Sequence, residues 1–266
     1  MGGSTQAGSR GSRRRFLAGG LAATLAAAMA GCARRPPAPL TSVNGRSLVL
    51  GPEAGFTPAA LPPDWFLLPR KSADRFSVVE VSGTPVLRIE APGGPLLGRR
   101  LQMPLLATPY LHAGWYLDPG LFDGGPRDGL PRGLRLVVGF KGGLPTGAQL
   151  LDRVFADDLP VHDRLLEFRF GGVGAAHPDE AWLEFSVAND RGLRRVLRTN
   201  ERGQAGRWHV EALDLASIYR DYWPRDRVAH VEIVFIAVGG LQHFMPPPEN
   251  AAAAPAGYVA EILLTR

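Results

Sequence analysis

Two His-Val-Glu tripeptides carry the side chains best suited to chemistry in this 266-residue chain, His209-Val210-Glu211 and His230-Val231-Glu232. On a strand, residues two apart share a face, so each tripeptide puts an imidazole beside a carboxylate. If the two strands were neighbours, His209, Glu211, His230 and Glu232 would converge. Such a set could hold zinc or another divalent metal, or supply acid and base to a polysaccharide lyase or hydrolase. The ordinary alternative is a set of outward residues on amphipathic strands, paired by charge.

The second candidate chemistry is stacking. A flat aromatic ring covers the apolar face of a pyranose, and Trp115-Tyr116 and Tyr222-Trp223 are the adjacent pairs beside loops. Of two neighbouring aromatics on a strand, one usually points inward, so core and rim packing competes with sugar binding. A third is oxygen ligation. Asp157, Asp158, Asp163 and Glu261 could hold a structural calcium, or could be solvated loop charge. No other cofactor is expected. Gly171-Gly172-Val173-Gly174 lacks the Lys-Ser/Thr and the helix of a phosphate loop, and there is no G-x-S-x-G, H-E-x-x-H or C-x-x-C.

The elements that must position these residues read as strands. Ser47–Leu50 opens the domain, and Arg75–Glu90 forms a hairpin around Ser82-Gly83-Thr84-Pro85. Pro95 to Gly114 is apolar but broken by three prolines, with a strand from Tyr110 to Leu117. Leu134–Phe140 and Leu166–Phe170 alternate as half-buried strands. Trp182–Val187 pairs with Leu193–Arg198 across Asn189–Gly192. Arg207–Asp214 is a strand. Leu215, Ile218, Tyr219 and Tyr222 then mark one face of a short helix stopped by Pro224. Val228–Val238 is the most apolar strand and should be central, and Tyr258–Leu264 closes the chain. About ten strands, one short helix near 215–223 and no βαβ rhythm predict an all-β, antiparallel two-sheet jelly-roll sandwich.

The first 31 residues look like an address. Arg10, Arg13, Arg14 and Arg15 precede an Ala- and Leu-rich run, Phe16–Gly31, that is too short to span a bilayer. Ser12-Arg13-Arg14-Arg15-Phe16-Leu17 resembles a twin-arginine export signal, which implies carriage by the twin-arginine translocase. Met29-Ala30-Gly31-Cys32 resembles a lipoprotein processing site, and Ala28-Met29-Ala30 an ordinary cleavage site. Cys32 is the only cysteine, which favours lipid attachment there and a stable anchor in the membrane. The expected plan is a signal at 1–31, a Pro-rich tether at 32–45 and one β-sandwich at 46–266. The expected location is the periplasmic side of the envelope, at the outer membrane in a Gram-negative cell.

Composition narrows the partners. The formal charge is +5, but the signal holds four of the 30 basic residues and none of the 25 acidic ones. The remainder is nearly neutral, which argues against nucleic acid. At 45% hydrophobic residues the chain has enough apolar side chains for a core.

The second half carries a family resemblance. Arg207-Trp208-His209-Val210-Glu211-Ala212-Leu213-Asp214-Leu215 precedes the helix, an apolar strand Val231–Val238 follows, and Val259-Ala260-Glu261-Ile262-Leu263-Leu264 ends the chain. This resembles the jelly-roll domains of carbohydrate-binding modules, and an uncharacterised family of exported bacterial proteins with a strand like Leu134–Phe140. The resemblance implies a non-catalytic sandwich that binds a glycan or another envelope component. A polysaccharide-active enzyme built on the two His-Val-Glu pairs is the second expectation. A structural envelope protein with a protein partner is the third.

Overall fold

The computed structural model describes residues 46–50, 60–69, 71–90, 95–119, 133–144, 159–170, 182–185, 194–199, 205–241 and 256–266. The chain divides into units Met1–Pro37 and Ala38–Arg266, and every described residue lies in the second. The signal arginines Arg13 and Arg14, the lipidation residue Cys32, and Asp157 and Asp158 lie outside the described residues.

Thirteen strands are described: β1 Arg46–Leu50, β2 Trp65–Leu68, β3 Phe76–Val81, β4 Thr84–Glu90, β5 Leu96–Pro104, β6 Tyr110–Leu117, β7 Gly133–Lys141, β8 Arg164–Phe170, β9 Trp182–Phe185, β10 Arg194–Thr199, β11 Trp208–Asp214, β12 Glu232–Leu241 and β13 Ala256–Thr265. One helix, α1 Leu215–Tyr222, joins β11 to the turn before β12. The strands form two sheets packed as a jelly-roll sandwich. The six-stranded sheet runs β11-β6-β13-β4-β3, with β1 also on β13. The seven-stranded sheet runs β2-β5-β12-β7-β8-β10-β9. Pairing is antiparallel except between β10 and β8.

Local sequence explains these elements. β3 and β4 are joined by Ser82-Gly83, both at positive φ (52° and 79°), as a two-residue hairpin turn requires. Asp214 caps α1, its side chain accepting from Ser217 N–H at 2.8 Å. Leu215 and Tyr219 then fall on the buried face. Two strands escape the alternation argument. β5 ends at Pro104 and reads as broken, and β2 is only four residues between prolines.

The core lies between the sheets. Leu111, Ala113, Trp115, Leu87, Ile89, Val259 and Ile262 from one sheet meet Leu97, Leu136, Val138, Phe168, Ile236 and Val238 from the other. β7 and β8 are not half-buried, as alternation suggested. Val137 and Leu165, on the far face of the seven-stranded sheet, are 3% and 4% exposed and belong with Phe66 and Phe235 to a second apolar cluster. Gly98 and Gly139 make room there, since a Cβ at either would run into the Phe66 or Phe235 ring.

Candidate functional site

The interior offers no room for a substrate where Trp115, Leu136, Phe170, Val238 and Ile262 line a gap between the sheets. That gap holds about 10 Å³, at most one water. Trp115 itself is 1% exposed, and its indole lies between His209 (centroids 4.3 Å apart, interplanar 18°) and Phe170 (5.1 Å, 25°).

The two His-Val-Glu pairs are not brought together. His209 pairs in register with Trp115 on β6, and Glu211 follows on β11, the outermost strand of the six-stranded sheet. His230 ends a 3-10 turn, and Glu232 opens β12 in the middle of the other sheet, opposite Pro104 and Lys141. The chain reverses through α1 between them, so neighbouring in sequence does not make neighbours in space. Among the described residues no group of three or more His, Cys, Asp or Glu is placed to hold a metal.

The oxygen-ligand candidates separate in the same way. Asp163 accepts Gly142 N–H at 2.7 Å, which ties the end of β7 to the start of β8. Glu261 lies on β13 of the other sheet, 4.0 Å from Arg46 with its side chain half exposed. Of the stacking candidates, Trp223 is 6% exposed and packs on Tyr219 and Tyr222 with Arg164 over its ring. Tyr222 is half-buried. Trp223 belongs to a network centred on Asp226, whose side chain is 2% exposed. Asp226 accepts two hydrogen bonds from Arg164 (2.8 and 3.0 Å) and one from the Tyr219 hydroxyl (2.8 Å).

Only Tyr116 of the four aromatics belongs to a surface array. Its register partners are Trp208 on β11 and Tyr258 on β13. The three rings form a row across adjacent strands on the outer face of the six-stranded sheet, with centroids 5.5 and 5.6 Å apart. Trp208 is 41% exposed. The row continues through Arg88, the register partner of Tyr258, to Ser77 on β3. Arg88 donates to Glu90 at 2.6 Å, and Arg75 approaches the other oxygen of Glu90 at 3.7 Å. Burial works against the Arg88 charge, but the bonds to Glu90 and Tyr258 outweigh it and hold the guanidinium above its ordinary range.

Sequence reasoning missed Trp208, Tyr258, Arg88 and Glu90. Each lies on a different strand, and only the register aligns them. It also missed the charges on the far face of the seven-stranded sheet. There Arg169 donates to Glu167, 1% exposed, and burial next to Arg169 lowers Arg135 to about 10.

No family model matches the chain, and no curated protein sequence matches it. Solved structures similar to it include endoglucanase 3 of Trichoderma harzianum, from glycoside hydrolase family 12 (8% identity, TM-score 0.38, 72% of this chain and 82% of that one). The catalytic domain of Humicola grisea Cel12A with a thio cellotetraose is another (10%, 0.38, 84% and 93%). The xyloglucanase domain of NopAA, a type three effector from Sinorhizobium fredii, with cellobiose, is a third (11%, 0.37, 85% and 95%). What they share with this chain is the sandwich, and they assign no residue here.

The expectation of a non-catalytic, glycan-binding sandwich is therefore corrected. Trp115 and Trp223, which would have done the stacking, are core residues. The chain is a two-sheet, mainly antiparallel β-sandwich of the jelly-roll kind.

Proposed function

We propose that the chain is a polysaccharide-active enzyme of the hydrolase class, working on the outer face of its six-stranded sheet. One observation carries this reading. Trp208, Tyr116 and Tyr258 stand side by side on three adjacent strands, and the row runs directly into the Arg88–Glu90 pair. Aromatic side chains with polar tips suit a surface that is part apolar and part wet, which is the character of a sugar ring. The adjoining guanidinium and carboxylate add the charge that stacking alone lacks. The charges at this end of the row pair with one another, so a neutral polysaccharide suits the face better than an anionic one.

In this reading the domain acts outside the cytoplasm, exported through the twin-arginine route and anchored by lipid on Cys32. The test is release of reducing ends from neutral polysaccharides by the full chain, purified from membranes in detergent. Release by the wild type that falls on replacing Trp208 and Tyr258 is the expected result. If soluble β-glucan, mannan and xylan all remain at full length, the reading fails.

A further inference from the structure

We propose that β11 is the contact through which two copies of this chain associate, pairing antiparallel, edge to edge, about Val210. The contact is independent of the hydrolase reading above. β11 is the outermost strand of the six-stranded sheet and, among the described residues, pairs only with β6. The Leu215 N–H donates to the Pro109 carbonyl at 2.8 Å, one step beyond the register pair Asp214–Tyr110. Hydrogen-bonded pairs alternate along an antiparallel ladder, so Leu213, Glu211 and His209 turn their backbone groups toward β6. Trp208, Val210 and Ala212 turn theirs to the outer edge. All three are exposed, Val210 at 78% and Trp208 at 41%. A seven-residue edge with exposed apolar side chains and neither Pro nor Lys is a template for another strand. At the edge of the other sheet, β2 has only four residues.

Charge selects a second copy as that strand. Edge-facing residues must oppose edge-facing residues, so a two-fold axis relating two such strands passes through one residue. An axis at Val210 sets Val210 against its own copy and Trp208 against Ala212, with about six backbone hydrogen bonds. It also sets His209 opposite Glu211 twice. Opposite charges facing each other across strands are favourable, and like charges are not. An axis at Glu211 would bring two carboxylates face to face. An axis at His209 would leave Ala212 opposite Gly206, which lies outside the strand. The match of imidazole to carboxylate thus fixes both the partner and the register. On the outer face, Val210 packs on Val210 and the Trp208 ring lies beside the Ala212 methyl group. The axis is perpendicular to the sheet, so the aromatic rows of both copies stay on one side.

The full wild-type chain in detergent is followed by size-exclusion chromatography with light scattering over about 1–100 μM. Beside it runs Val210→Lys, which puts two ammonium groups face to face at the axis. The expected result is twice the mass of one chain for wild type and the mass of one chain for the variant. Val210→Cys, and Glu80→Cys on β3 at the opposite edge of the sheet, are then treated with a short bismaleimide. Val210→Cys should yield a cross-linked dimer and Glu80→Cys should not. A monomeric wild type overturns the proposal, and so does a different protein found on this edge. A folded Val210→Lys that remains a dimer overturns it as well, because the copies then meet elsewhere. Absence of the cross-link in Val210→Cys does the same, and that variant decides the matter even if Val210→Lys fails to fold. These measurements read association alone, so the hydrolase reading stands or falls separately, on turnover.

Discussion

Tyr116 and Tyr258 are register partners across the β6–β13 ladder, and their rings meet edge to face at 5.6 Å on the outer side of the six-stranded sheet. Trp208 extends the contact onto β11 at 5.5 Å. Rings held by three strands lose little freedom when a substrate lands on them, because the sheet has already fixed their spacing. Trp208→Ala and Tyr258→Ala are therefore expected to raise KM several-fold each. Their melting temperatures should stay within a few degrees of wild type, since surface side chains contribute little to stability. Initial rates over a range of polymer concentration, beside thermal unfolding, check this.

Trp115 should behave in the opposite way. It is fully buried between Phe170 and His209, so Trp115→Ala leaves a cavity in the core. The expected cost is about 3–5 kcal/mol, read from urea unfolding. A variant that loses substrate binding with unchanged stability would contradict the placement of Trp115.

The sandwich was legible in the sequence because alternation survives wherever one face of a strand is wet. The β3–β4 hairpin announces itself through Ser82-Gly83, and the α1 face through the spacing of Leu215, Ile218, Tyr219 and Tyr222. β7 was read as half-buried because Arg135 and Lys141 suggested a polar face, yet Val137 and Gly139 on that face pack under Phe235. The site was not legible, because register is a long-range property. Trp208, Tyr116, Tyr258 and Arg88 span residues 88 to 258 and align only through three strand pairings. One clue was available locally. Leu111, Ala113 and Leu117 fix the inward parity of β6, which sends Trp115 into the core and Tyr116 outward.

Gly139 is a packing requirement rather than a turn residue. A Cβ there meets the Phe235 ring, itself completely buried. Gly139→Ala should therefore cost about 1–3 kcal/mol through overpacking. Combining it with Phe235→Leu should recover part of that loss. Denaturant midpoints of the two single variants and the double variant test the coupling. Simple additivity would show that the two positions do not share the space.

Lipid attachment makes a separate prediction. If Cys32 is the first residue after processing, Cys32→Ser removes the only possible thioether anchor. The protein should then move from the membrane fraction to the soluble fraction, or stay unprocessed at higher mass. Detergent phase partitioning with intact-mass measurement reads both. Unchanged membrane association with unchanged processing would locate the anchor elsewhere.

The Asp226 network ties α1 to β8 and gives stability a pH signature. Burial, then the hydrogen bond to Asp226, raises the Tyr219 phenol well above the ordinary tyrosine value of 10.0. A group whose folded value is raised contributes stability that is fully present below its unfolded value and is lost as pH rises beyond it. Wild type should therefore lose this contribution above about pH 10, as the unfolded chain sheds a proton that the folded one keeps. Arg135 runs the other way. Burial lowers it to about 10, so its penalty on folding is relieved as pH rises through that value. Arg135 is common to wild type and Tyr219→Phe, so the difference between the two isolates the phenol. Near neutral pH, Tyr219→Phe should be about 1.5–3 kcal/mol less stable, the loss of a hydrogen bond to a charged group. The gap should narrow between pH 9 and 11. Asp226→Ala, which strands Arg164 in a buried site, should cost more, about 3–5 kcal/mol. A gap between wild type and Tyr219→Phe that stays constant with pH would mean that the phenol does not donate to Asp226 in the folded protein.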